Sequence, residues 1–132
     1  MKAATIARES DKKQDSNDAQ EMRMTDYTKS KTLTFWKFFP IKDESSTRGK
    51  REQMHAAIKE IVAEADRSKE RIAIVFDTID RLMRSFKDVI WVDDLRKSGK
   101  VEIHFYRENL VIHQNSNSAD IIRWEIDRKS VV

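Results

Sequence analysis

The sequence predicts a layered α/β domain with a mainly parallel sheet, and three observations carry that reading. The run IAIVF at positions 72–76 is apolar throughout, without alternation, the mark of a strand covered on both faces. Met54, Ala57, Ile58, Ile61, Val62 and Ala65 recur at helical spacing and form one apolar stripe. Strand-like and helix-like patterns then alternate along the chain, the order expected of parallel strands joined by crossover helices.

Each element follows from its own residues. Positions 3–7 (AATIA) form a short apolar run beside Arg8, read as a narrow buried strand. The polar segment after it holds Asn17 with Gln20 three residues on, a capping pair for a helix reaching about Tyr27. That helix carries a weak apolar stripe of Ala19, Met22 and Tyr27. Aromatic residues and threonines at 32–39 favour a strand, which Pro40 closes or confines to a sheet edge. A polar loop is expected over 42–51 and the clearest helix over about 52–67. A further helix is expected from an N-cap at Ser85, through Val89, Val92 and Leu95, to a stop at Gly99. Residues 101–106 alternate and predict a half-buried strand; 109–113 predict another, antiparallel in sense. A last helix is expected near Ala119, with Ile122 and Ile126 aligned.

Composition narrows the chemistry. At 132 residues the chain has length for one core. Charged residues make up 37% and hydrophobic ones 39%, which predicts a soluble, cytoplasmic protein with a modest core. There is no cysteine, which excludes disulfides, thiolate metal sites and a thiol nucleophile. No apolar run is long enough to cross a bilayer, so no membrane partner is expected. Lysine and arginine total 26 against 23 acidic residues, a mixed balance in which anion binding depends on local clusters. His55, His104 and His113 lack ligand-like spacing, and no metal is expected. Trp36, Trp91 and Trp124 are read as packing residues.

Two polar clusters lie just beyond apolar strands, where ligands bind in parallel sheets. One is Arg8, Ser10 and Gln14. The other runs from Asp77 to Arg84 in the segment FDTIDRLMRS and holds Asp80, Arg81 and Arg84, with Arg48 and Arg51 in the loop before the long helix. By itself an Asp-Arg-x-x-Arg run is a solvated charge pair at a helix start, and a lone serine a turn residue. Together, several arginines around one serine suit a phosphate, because guanidinium forks bind its oxygens bidentately and stay charged. A serine there can attack phosphorus while arginines stabilise the transition state. A nucleotide- or phosphoprotein-binding α/β domain is a competing reading, but two glycines cannot supply a Gly-rich phosphate loop.

In order, IARES with Gln14, then DSNDAQ, then IKDESSTRGKR ahead of an amphipathic helix, then an apolar strand entering DRLMRS resemble the catalytic domain of the serine recombinases, the resolvase and invertase family. The likeness spans Ala3 to about Ile126. It implies a three-layer domain whose mainly parallel sheet has four to five strands flanked by helices. It implies that Ser10 is the nucleophile on a DNA phosphodiester, giving a 5′-phosphoserine link. Arg8, Arg51, Arg81 and Arg84 would activate the phosphate, Gln14 and Gln20 would support the site, and Asp80 would be a candidate for proton transfer. Arg51 is preferred to Arg48 because it leads directly into the apolar stripe. DNA is the implied partner, a homodimer or tetramer the implied assembly, and no cofactor is needed. The resemblance further implies that residues 1–132 are a catalytic domain ending where a dimerisation helix begins, without the DNA-binding domain. A catalytically silent dimerisation or regulatory module is the alternative. Met83, where a small residue is usual, and Glu9, where an apolar one is common, depart from the pattern.

Overall fold

The computed structural model describes residues 1–8, 16–42, 47–83 and 86–116, with the side chains at 47–51, 86 and 89 left aside. The described strands are β1 (Lys2–Arg8), β2 (Thr34–Ile41), β3 (Ile72–Phe76), β4 (Val101–Phe105) and β5 (Leu110–Ile112). The helices are α1 (Asn17–Ser30), α2 (Thr47–Ser68) and α3 (Phe86–Lys97), with a 3-10 turn at Ile79–Arg81. The strands form one sheet in the order β2-β1-β3-β4-β5, parallel except for the antiparallel β4–β5 pair. The expected fold class is therefore the observed one.

Handedness sorts the helices. The chain moves one way along the sheet from β1 to β2 and the other way from β2 through β3 to β4. Right-handed crossovers therefore place α1 on one face and α2 and α3 on the other. The core divides accordingly. Ile72, Ile74 and Phe76 pack with Ile58, Ile61 and Val92 on the α2/α3 face, while Ala73 and Val75 pack with Met24 and Tyr27 on the α1 face. All five residues of β3 are fully buried, which explains why its sequence shows no alternation. Each buried Ile or Phe side chain removes from water an area worth about 1.5–3 kcal/mol.

Pro40 lies in β2, an edge strand, as expected of a residue that cannot donate to a ladder. A register shift sets Ala3 opposite Phe35 but Ala4 opposite Lys37, inserting Trp36 as an extra residue. The insertion brings Trp36 and Phe39 to one side, ring centroids 6.2 Å apart, against the α2-side core. Gly99, just past α3, has φ +76°, and a Cβ there would meet Gln114 Oε1 at 2.7 Å. The helix stops where only glycine fits comfortably.

Several expectations are corrected. The N-cap of α1 is Ser16, whose hydroxyl accepts the Ala19 N–H at 3.1 Å, not Asn17. The inward face of α1 is Asn17, Gln20, Met24, Tyr27 and Thr28, and Met22 is exposed. The helix runs to Ser30 because its stripe is partly polar and continues beyond the apolar residues. α2 begins at Thr47, so residues 47–51 are its first turn and not loop. β4 is buried on both faces, since His104 is covered by α1. With His104 Nε2 donating to Glu102 at 2.8 Å, Nδ1 accepts from the Tyr27 hydroxyl at 2.7 Å. Burial, with the Glu102 charge adding to it, raises the Tyr27 pKa, and the His104 hydrogen bond lowers that of Glu102. Trp91 packs against the core with its ring stacked on His55 at 4.0 Å. Ser85 as N-cap, Trp124 and the helix expected near Ala119 lie outside the described residues.

Candidate active site at the β1/β3 switch point

β1 leads to α1 on one face and β3 to α3 on the other, the change of direction that marks the ligand-binding switch point of a parallel sheet. Arg8 ends β1, and Asp77 to Arg81 leave β3 at the same edge. The two clusters read in the sequence meet here. Arg8 Nη2 donates to the Asp80 carbonyl at 2.5 Å, and Arg81 Nη1 donates to the Arg8 carbonyl at 3.1 Å. Each arginine thus holds main chain belonging to the other's segment.

Gln20 locks this junction from α1. Its Nε2 donates to the Arg8 carbonyl at 2.9 Å, and its Oε1 accepts the Arg8 N–H at 3.2 Å. Both Gln20 and Arg8 are buried, at 0% and 7% exposure, so these bonds satisfy groups that water cannot reach. Asp80 is exposed; its carboxylate accepts from the Thr78 hydroxyl, while its carbonyl takes the Arg8 guanidinium. Asp80 and Arg81 belong to a 3-10 turn and not to the α-helix start that their spacing suggested. An i→i+3 turn fits here because Ile79 packs inward while its neighbours stay polar.

Met83 is fully buried in the α2-side core. Its bulk is absorbed by packing, and Leu82 beside it is buried as well. Ser10, Gln14, Glu9 and Arg84 lie outside the described residues, as does the side chain of Arg51, whose backbone sits in the first turns of α2. Among the described residues no group of three or more His, Cys, Asp or Glu side chains is placed to hold a metal. No described helix is long and apolar enough to cross a membrane.

One charge of the second cluster, Asp77, has no role assigned from the sequence, and the structure buries it. The Asp77 carboxylate is 1% exposed and lies between Arg23 of α1 and Arg107 beyond β4. Its position directly after five apolar residues was the available signal, since a charge continuing a buried strand needs partners.

The fold finds its counterpart among known proteins. A family model described as "Resolvase, N terminal domain" matches residues 3–123. The structure is similar to the N-terminal catalytic domain of TP901-1 integrase, with 18% identity, a TM-score of 0.68, and coverage of 96% of this chain and 90% of that one. It is also similar to a resolvase family site-specific recombinase from Streptococcus pneumoniae, with 15% identity, a TM-score of 0.67, and coverage of 99% and 90%. At these identities the likeness is one of fold. A comparison with curated proteins finds no match. Because the family match runs from β1 past β5, the chain belongs to the resolvase N-terminal domain family.

Proposed function

We propose that the chain is the catalytic domain of a site-specific DNA recombinase, which cleaves and rejoins DNA through a 5′-phosphoserine intermediate. The observation that carries this reading is the reciprocal cross-link of Arg8 and Arg81 at the β1/β3 switch point. It joins residues 73 apart in sequence at the edge where a sheet of this topology binds ligands.

Ser10 follows Arg8 by two residues. In the proposed step its Oγ attacks the phosphorus of a DNA phosphodiester; the Oγ–P bond forms as the P–O3′ bond breaks. The proton of the serine hydroxyl goes to solvent, and the departing 3′-oxygen takes one up from solvent through the exposed Asp80, the candidate for proton transfer to the leaving group. Arg8, Arg51, Arg81 and Arg84 bind the phosphate oxygens and offset the charge that builds on them. Gln14 and Gln20 support the site, and Gln20 does so by fixing the Arg8 main chain. Rejoining is the reverse attack by a 3′-hydroxyl of a partner strand, so the bond energy stays in the covalent link and no nucleotide is consumed. Strand exchange requires more than one copy, acting as a dimer or tetramer on DNA.

The test is a fusion of the whole 132-residue chain to the DNA-binding domain of a recombinase whose target site is known. Incubated with a nicked site, the fusion should yield protein linked to a 5′ DNA end, and Ser10→Ala should abolish the product. Bound DNA with no covalent species while Ser10 is intact would overturn the proposal and favour the silent-module alternative.

A further inference from the structure

Helix α1 touches both halves of the site. Gln20 and Arg23, three residues apart, share a face. Gln20 holds Arg8 at the end of β1, and Arg23 reaches the segment leaving β3. There it grips Asp77 as a fork, Nε to Oδ1 at 3.2 Å and Nη2 to Oδ2 at 3.0 Å. Arg107 adds Nε to Oδ2 at 3.1 Å, and its N–H donates to the Asp77 carbonyl at 2.9 Å. On either side, Tyr106 N–H donates to the Phe76 carbonyl at 2.9 Å, and Ile79 N–H donates to the Glu108 carboxylate at 2.9 Å. The exit of β3 is thus stitched along its length to the start of the β4–β5 connection.

A carboxylate this buried costs several kcal/mol unless paired, and a well-packed apolar residue would often serve stability as well. What the charge adds is direction, because a fork-shaped contact fixes angle as well as distance. Arg81 lies four residues after Asp77, with little intervening chain to absorb a misalignment. We propose that Asp77 is a positioning residue for phosphoryl transfer: held by Arg23 and Arg107, it sets the exit of β3 so that the 3-10 turn presents Arg81 to the phosphate beside Arg8. Asp77 itself is 1% exposed and would act through Arg81, not on DNA directly. The proposal rests on the recombinase reading above.

Asp77→Asn keeps the shape and one acceptor but removes the charge. In the fusion it should lower the rate of covalent product at saturating DNA at least tenfold, to about a tenth or less, and move the half-saturating DNA concentration by less than about threefold. Val101→Ala, a core variant at the opposite end of the sheet, is the control for stability: it should lower Tm without lowering that rate at temperatures where it is folded. Arg107→Gln should show the same split with a smaller loss, because Arg23 remains, and it carries the test if Asp77→Asn does not fold. A wild-type rate in folded Asp77→Asn, or an equal rate loss in Val101→Ala, overturns the proposal. If the unsubstituted fusion gives no Ser10-dependent product, the recombinase reading fails first and this inference falls with it.

Discussion

The two ends of the sheet carry charge in opposite ways. At the amino end, ion pairs join side chain to side chain: Lys100 with Asp66, side chains 46% and 55% exposed, and Glu64, 12% exposed, with Arg67 three residues on and with Lys2 from 62 residues away. At the carboxyl end, charged and polar groups are buried or half-buried and join segments distant in sequence, Arg8, Gln20 and Arg81 by holding main chain and Asp77 through the Arg23 and Arg107 side chains. Exposed pairs at the amino end, such as Lys100 with Asp66, can be lost at little cost, since solvent replaces each partner. Those at the carboxyl end cannot, because removing one partner leaves a buried group unsatisfied. Charge decorates one end and shapes the other.

The largest expected effect follows from Arg81→Ala, which removes both a proposed phosphate-binding group and the hydrogen bond to the Arg8 carbonyl. Covalent product in the fusion should form about 10²–10³-fold more slowly, the loss seen when one preorganised transition-state donor is deleted. Next comes Gln20→Leu. It strips two hydrogen bonds from the Arg8 main chain at a buried position and should lower urea-unfolding stability by about 1–3 kcal/mol. A loss no larger than that of an exposed substitution would erase the distinction between the two ends.

An acid titration probes the amino end. Hydrogen bonds from Arg67 first and Lys2 second hold the Glu64 carboxyl at about 2, below its ordinary 4.5. A carboxyl depressed on folding contributes stability above its unfolded value, and the contribution is lost as pH falls through the folded one. The Tm difference between wild type and Glu64→Gln should therefore be constant above the ordinary 4.5 and should close as pH falls toward about 2. Convergence well above 4.5 would contradict the pairing. The smallest effect is expected of Lys100→Ala, whose exposed pair with Asp66 should be worth less than about 0.5 kcal/mol by urea unfolding. A loss matching that of Gln20→Leu would give both ends the same character.

Legibility in the sequence followed a divide between local and distant. β3 was readable because a strand covered on both faces needs no polar positions, and α2 because Met54 to Ala65 draw one stripe. Residues 47–51 were missed as helix because they are charged or small and carry no stripe, so only the continuing backbone ladder reveals them. The inward face of α1 escaped notice because Asn17, Gln20 and Thr28 are polar and are buried by partners that the local sequence does not contain. His104 was likewise assigned to a solvent face because Tyr27, which covers it, lies 77 residues away. Within the site, Arg8, Gln20, Asp80 and Arg81 could be proposed from motif order. Asp77 could not, since its meaning lies in Arg23 and Arg107, neither of which belongs to a motif.

The mutual grip of Arg8 and Arg81 has a consequence for inheritance. Since each guanidinium seats the backbone that carries the other, a gene that drifts away from activity by losing one of them also loosens the remaining one. The second arginine then has less to preserve, and decay should remove the two as a pair. Descendants that retain a single member of the pair should be the short-lived intermediates of that decline.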